Sequence, residues 1–163
     1  MNITQRNAKK DDLELLFTWR NHSNVRNFST QDRSIPLEEH TRWFVSRIEK
    51  LAQEPFYLFE YQNMAIGMCR LDKSSVSDDL FEISILVAPD FQKKGFGRLI
   101  LQESCELFFE IYPDHKILAK VHAENTNSRR LFESENFKLA NRNEGFDYYF
   151  KIKDNLVMFE KQN

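Results

Sequence analysis

The apolar positions of this chain keep a helical period in some stretches and alternate in others. ITQRNA at the start reads as a short strand, and KKDDLELLFTWRN then places Leu13, Leu16 and Phe17 at helical spacing, with Asp11 or Asp12 able to cap the start. Residues 21–33 are polar and turn-rich. After Pro36, LEEHTRWFVSRIEKLAQ offers Leu37, Trp43, Phe44, Ile48 and Leu51 to one broad face, which predicts a second helix. From Pro55 the pattern shortens. FYLFEY, MAIGMCRLD and LFEISILVA read as three antiparallel strands, joined by a QN turn and an SSVSDD loop. RLILQESCELFFEIY returns to helical spacing through Leu101, Cys105, Phe108 and Tyr112 until Pro113 stops it. A strand, HKILAKVHA, a helix, NSRRLFESEN, and closing strands running from FKLANR through YYFKIK to LVMFEK complete the order. No repeat, low-complexity tract or linker interrupts it, so one domain is expected over residues 1–163.

Composition narrows this little. The chain has 163 residues, 41% of them hydrophobic and 29% charged, with fifteen phenylalanines that must mostly be buried. Basic residues number 23 and acidic ones 25, so no global field draws it to nucleic acid or to an anionic membrane. The first residues lack the apolar run of a signal peptide, and no stretch approaches the roughly 18 apolar residues of a membrane span. A cytoplasmic protein is expected. Cys69 and Cys105 form no CxxC pattern, and His22, His40, His115 and His122 show no ligand spacing, so neither a disulfide framework nor a metal site is expected.

The informative stretch is PDFQKKGFGR. Two of the chain's four glycines, Gly95 and Gly97, fall there, between a strand and a helix and among Lys93, Lys94 and Arg98. Such a turn gathers unpaired N–H groups at the positive end of a helix dipole, and glycine lets an anion approach the backbone closely. The anion expected is phosphate. A dinucleotide GxGxxG would need a third glycine where Ile100 stands, and a P-loop would need GK[ST] where Arg98 and Leu99 stand.

What remains, Gln92-Lys93-Lys94-Gly95-Phe96-Gly97, resembles the QxxGxG pyrophosphate motif of the GNAT superfamily of acyl-CoA-dependent N-acyltransferases. ISILVAPDF resembles that family's strand leading into the loop, and HAENTNSRRLFESENF resembles its second signature. The element order also resembles the family's over nearly the whole chain. The resemblance implies an α+β fold layered α/β/α, with a mixed sheet of about seven strands, a splayed parallel pair and about four helices. It implies acetyl-CoA as cosubstrate and no metal. Leu86 and Val87 would pair through their backbone with the pantetheine arm. Gln92, Lys93, Lys94, Gly95, Phe96, Gly97 and Arg98 would hold the pyrophosphate, and Asn125 would contact CoA while capping its helix.

For the amine's proton the resemblance points to Glu82, which alternation places opposite Phe81, Ile83 and Ile85 and on the same side as Ser84. Ser84 and His122, at the next strand's end, are the other candidates. Many family members carry a tyrosine where this chain has Phe132, in the wall of the cofactor site. Phenylalanine donates no proton, so Tyr148, Tyr149 or water would have to substitute, or the thiolate would leave unaided.

The acceptor region in this family lies between and on the first two helices. Between Phe17 and Arg47 stand five arginines, Arg20, Arg26, Arg33, Arg42 and Arg47, against three acids, Asp32, Glu38 and Glu39, with Trp19 and Trp43 among them. That composition suits an anionic acceptor carrying a ring and does not suit a polyamine. The runs WRN, VR, LEEH and WF resemble acetyltransferases of nucleotide-linked amino sugars on the route to nonulosonic acids. Trp19, Arg20, Asn21 and Arg26 are therefore the expected acceptor residues, and the 4-amino group of a UDP-linked sugar the expected acceptor. A ribosomal-protein-type N-terminal acetyltransferase and a non-catalytic CoA-binding module stay open, and a homodimer is compatible with all three.

Overall fold

A computed structural model describes residues 1–28 and 33–153 of the chain. The alternating segments become β1 (Thr4–Asn7), β2 (Phe56–Tyr61), β3 (Met64–Lys73), β4 (Leu80–Val87), β5 (Lys116–His122), β6 (Lys138–Asn143) and β7 (Phe146–Ile152). They form one seven-stranded sheet in the order β1-β2-β3-β4-β5-β7-β6. All neighbours are antiparallel except β4 and β5. The helical-period segments become α1 (Leu13–Asn21), α3 (Leu37–Ile48), α4 (Phe96–Ile111) and α5 (Thr126–Ser134). The mixed sheet with one parallel pair is the expected α+β fold.

The differences from expectation are local. A one-turn helix, α2 (Ser23–Arg26), forms within the polar stretch, where the His22 ring accepts the Asn24 N–H at 3.3 Å. α3 stops at Ile48 and does not run on to Gln53, because the chain tightens through Lys50 N–H to the Arg47 carbonyl (3.1 Å) and Glu54 turns back to Arg47 and to the Lys73 N–H (3.3 Å). Asp12 does not cap α1 forward. Its carboxylate accepts the Lys9 N–H at 2.7 Å and two Arg6 nitrogens at 2.8 Å each, tying the helix start to β1. The closing hairpin joins β6 to β7 through Glu144 and Gly145, both at positive φ, as a tight hairpin turn requires. The LVMFEK strand lies outside the described residues.

Alternation sorts each strand's side chains between two helical layers. Tyr57, Phe59, Cys69, Leu71, Phe81, Ile83, Ile117, Ala119 and Val121 meet α4 and α5, with Ile100, Leu101 and Phe108 buried against them. On the opposite face Phe56, Leu58, Met68 and Leu86 meet α1 and α3 through Leu16, Trp19 and Phe44. This second cluster includes no residue of β5 or β7. Among the described residues, half of that face therefore carries no helix, and Leu118, His122, Phe146, Tyr148 and Phe150 are only half-buried there. No helix among the described residues is long and apolar enough to cross a membrane.

Gly67 sets how closely α4 lies on the sheet. A Cβ there would stand 2.6 Å from the Leu86 carbonyl oxygen and 2.7 Å from Ile100 Cδ1. Backbone is the obstacle, so Gly67→Ala should destabilise by about 1–3 kcal/mol, read as a fall in Tm of roughly 2–4 °C per kcal/mol. An unchanged Tm would show that the strand relaxes freely.

Candidate active site

The parallel ladder between β4 and β5 contains four pairs, Leu80↔Lys116 to Ile83↔Ala119, and then ends. β3 continues to pair with β4 as far as Val87, and β7 with β5 as far as His122. The strands thus part at their C-terminal ends, each still held on its outer side. Peptide groups alternate direction along a strand. The Ala88 N–H donates to the Ile66 carbonyl at 2.8 Å, so Ala88, Leu86 and Ser84 turn their backbone to β3, and Val87 and Ile85 turn theirs to the opening. This corrects the expectation for Leu86. Its peptide faces Met68 and its side chain is buried under α1. Ile85, which the motif reading passed over, turns its peptide to the opening as Val87 does, and counting two back from Val87 would have found it.

The loop after β4 is shaped by two residues with positive φ, Lys93 (59°) and Gly95 (86°). Gly95 is the N-cap of α4. The Gln92 amide donates to the Val87 carbonyl at 3.3 Å, fastening the loop to the strand end. Phe96 is buried between Tyr61 and Phe91, which leaves its N–H as the part able to serve a ligand. The first N–H groups of a helix have no carbonyl one turn back, and Gly97 sits among them. A Cβ at Gly97 would only touch Val87 and Leu131, each at 3.5 Å. Internal packing therefore tolerates a side chain there, and what the absent side chain leaves is a path to the backbone at the mouth of the opening. Lys93 and Lys94 are exposed beside it, with Lys94 Nζ donating to the Asp90 carbonyl at 2.7 Å. The loop thus fits a pyrophosphate. Arg98 is differently placed. Its Nε donates to Glu135 at 2.7 Å, and Gln102 takes the other carboxylate oxygen at 3.0 Å, so Arg98 ties α4 to the end of α5.

On the far wall Asn125 caps α5 by accepting the Ser128 N–H at 3.1 Å. Asn136 takes φ 63° where the resembled signature has glycine, a conformation asparagine tolerates. Phe132 is buried edge-on against Phe137 and cannot exchange a proton. Tyr149 is turned to α5 and bonded to Glu133 at 2.9 Å, near an Arg129–Asp147 ion pair of 2.9 Å. Burial pushes its hydroxyl pKa up. It braces α5 and is remote in direction from Glu82.

Glu82 and Ser84 share the α1–α3 face with Leu86, as alternation required. Their neighbour on β3 is Arg70, the register partner of Ser84, which pairs with Asp72 and lies 5.4 Å from the Trp43 ring centroid. Arg47 joins Asp72 at 3.1 Å and also pairs with Glu54. Burial, with Arg47 adding to it, pushes Arg70 down to about 10, and the Glu82 charge partly offsets that. Arg70 remains a cation at neutral pH. Its position inside the apolar run MAIGMCRLD was a signal that the sequence reading did not use. His122 accepts the Glu124 N–H on Nδ1 at 3.3 Å, so its neutral ring carries the proton on Nε2 and acts as a donor. Phe28 and Phe146 flank it at 6.3 and 5.3 Å between ring centroids.

The four expected acceptor residues separate into two kinds. Trp19 is 7% exposed within the core under α1, so it offers no stacking face. Asn21 is spent internally: Oδ1 accepts the Ile35 N–H at 2.8 Å and Nδ2 donates to the Ile35 carbonyl at 2.9 Å. Arg20 and Arg26 stand together with Arg33. Burial, then Arg33 and Arg26, hold Arg20 below the usual guanidinium range. Arg26 Nε is buried and lacks a hydrogen-bond partner among the described residues, and Arg33 forks onto Glu39 at 2.7 and 2.9 Å.

No group of three or more His, Cys, Asp or Glu among the described residues could hold a metal. A concavity of about 520 Å³ runs along α4 beside Cys105, Glu106, Glu110, Lys151 and Lys153, away from the opening. Burial pushes the Cys69 and Cys105 thiols up to about 12, so neither is a nucleophile.

Residues 2–138 match the family model described as an acetyltransferase (GNAT) domain. The acetyltransferase PseH of Campylobacter jejuni is 24% identical over 152 residues, covering 93% of this chain and 91% of that protein. The spermidine N(1)-acetyltransferase of Vibrio cholerae is 25% identical over 135 residues, covering 83% and 78%. YncA of Salmonella typhimurium, solved with its cofactor acetyl-CoA, has the same fold, with a TM-score of 0.72 at 23% identity and 92% of each chain covered.

The Asn21 geometry separates a structural from a substrate role. Asn21→Ala removes two hydrogen bonds to Ile35, each worth about 0.5–1.5 kcal/mol, so Tm should fall by several degrees, at roughly 2–4 °C per kcal/mol. A changed KM with an unchanged Tm would return Asn21 to the acceptor site.

Proposed function

The chain belongs to the GNAT acetyltransferases, and from that premise we propose that it moves the acetyl group of acetyl-CoA to the primary amine of a nucleotide-linked amino sugar. The observation that carries the acceptor is the Arg20, Arg26 and Arg33 cluster, with the orphaned Arg26 Nε inside it. A buried guanidinium donor without a partner calls for an anionic acceptor, and a diphosphate supplies one. The resemblance of WRN, VR, LEEH and WF to amino-sugar acetyltransferases and the likeness to PseH support the same choice.

Acetyl-CoA supplies an activated thioester whose thiol, at a reference pKa of about 8.5, leaves tolerably near neutral pH. The backbone of Ile85 and Val87 extends the sheet edge toward the pantetheine arm, and the Val87 N–H is aimed where an acyl oxygen gains charge. The turn from Gln92 to Gly97 receives the pyrophosphate, while Arg98 holds α4 against α5. Glu82 is the proton acceptor. It lies five residues before Val87, about 16 Å along the strand, so the proton travels through water past the Ser84 hydroxyl, which shares the face of Glu82. His122, a donor through Nε2, orients the acceptor. α5 has no tyrosine, so it offers no phenolic acid to the departing thiolate.

Two experiments test this. Gly97→Ala should keep the fold, since a Cβ there meets ordinary contacts, and Gly97→Val, its fold checked by the unliganded Tm, should lose most of the Tm increase that acetyl-CoA gives the wild type, about 2.7 kcal/mol of stabilisation at a hundredfold excess over Kd. Gly97→Ala should lose less. Normal binding by Gly97→Val would defeat the loop assignment.

For the acceptor, Arg26→Ala should raise KM for the nucleotide-linked sugar on the order of tenfold, as a lost charged hydrogen bond of about 1.5–3 kcal/mol implies. Acetyl-CoA affinity should not move. Equal wild-type efficiency with the free and the nucleotide-linked sugar would overturn the reading, and faster turnover of peptide N-termini or spermidine would name the replacement.

A further inference from the structure

We propose that Lys120 is a specificity-determining residue, whose ammonium receives an anionic group of the acceptor and turns away acceptors bearing additional positive charge. The proposal deepens the acceptor reading above and rests on it.

Lys120 is the first residue of β5 beyond the parallel ladder, which ends at Ile83↔Ala119. Glu82 and Leu118 are register partners on one face, and alternation puts Lys120 on that face too, across the opening from Ser84. The side chain is exposed, yet it is laid down: Nζ stands 4.4 Å from the Phe146 ring centroid and 5.8 Å from that of Tyr148. Two aromatic faces hold an ammonium in position without neutralising it. The rings belong to the half of the sheet face that α1 and α3 leave uncovered.

The surrounding charges favour an anion. Asp147, next to Tyr148 in sequence, lies on the opposite face and is taken by Arg129 at 2.9 Å and Arg142 at 3.3 Å. Asp72 is shared by Arg47 and Arg70. Glu82 is the proposed proton acceptor. Phe28, which meets the His122 ring, follows Arg26 by two residues, and Arg26 lies near Arg20 and Arg33, the last of these paired with Glu39. A ligand spanning that contact would meet the Lys120 ammonium at one end and the Arg26 guanidinium at the other. A phosphorylated or otherwise anionic amine gains from both, whereas a polyamine is opposed by both.

The test compares wild type with Lys120→Gln, Lys120→Arg and Lys120→Glu on three amines: the nucleotide-linked amino sugar, the same sugar free, and spermidine. Acetyl-CoA affinity serves as a control and should be unchanged, and Tm should shift by no more than the few degrees that exposed cation–π contacts of about 0.5–1 kcal/mol imply. Lys120→Gln should raise KM for the nucleotide-linked sugar on the order of tenfold with kcat within about twofold. Lys120→Arg should keep most of the affinity, and the free sugar should be unaffected. Lys120→Glu should raise kcat/KM for spermidine relative to the nucleotide-linked sugar. If wild type prefers spermidine outright, the acceptor reading fails, and the same ratio still judges Lys120: a shift toward the cationic amine in Lys120→Glu supports its role. A ratio that stays constant across the variants overturns the proposal, whichever amine the wild type prefers.

Discussion

The site depends on where one hydrogen-bonded ladder stops. β4 and β5 pair only to Ile83↔Ala119, while β3 and β7 keep hold of their outer edges to Val87 and His122. Backbone donors and acceptors that lose a strand partner must find another or face solvent. The peptide groups of Ile85 and Val87 are those left over, apart from the Val87 carbonyl that the Gln92 amide takes at 3.3 Å, and they sit where the N-terminus of α4 also leaves N–H groups unpaired. An extended ligand ending in phosphates answers both deficits at once. The fold therefore fits an extended, phosphate-bearing ligand as a consequence of strand geometry, with few dedicated side chains.

The walls of that opening are held by ion pairs that act at a distance from the chemistry. Arg98 and Gln102 on α4 share Glu135 at the end of α5, and Lys151 donates to the Glu135 carbonyl at 2.6 Å. On the other side, Arg129 joins α5 to Asp147 of β7 and to the Ala123 carbonyl at 3.3 Å. These contacts set the position of α5 relative to α4, and hence the width between Val87 and Leu131. On the acceptor face Arg47, Glu54, Asp72 and Arg70 do the same for α3 against β3.

The two faces also differ in what they leave open. α4 and α5 cover their face with a continuous aromatic and aliphatic core. α1 and α3 cover half of theirs, so Glu82, Ser84, Lys120 and His122 share a floor that a ligand can reach from solvent. The one-turn α2 brings Arg26 and Phe28 to the rim of that floor, where Phe28 meets His122. The glycine turn and this floor are thus built by different elements.

Much of this was legible in the order of residues. Period and punctuation decided the strands and the long helices, because alternation and helical spacing are local consequences of backbone geometry. The glycine turn was legible for the same reason: Gly95 needs its positive φ whatever surrounds it. Glu82 and Ser84 could be placed on one face by counting. What neighbours across the sheet do with a side chain could not be counted. Trp19 and Asn21 read as acceptor residues until packing showed one in the core and the other bonded to Ile35. Arg98 read as a phosphate ligand, and the fold gives its Nε a second partner, Glu135, 37 positions away. Leu86 read as facing the opening, yet its peptide turns to β3 and that of Ile85 to the opening, because peptide direction depends on which strand takes the other edge. The sequence by itself determined the elements and the anion-binding turn, since those follow from contacts within a few residues. The tertiary structure alone decided which charges are spent and which remain for a ligand, since each pairing joins residues that only the folded sheet brings together.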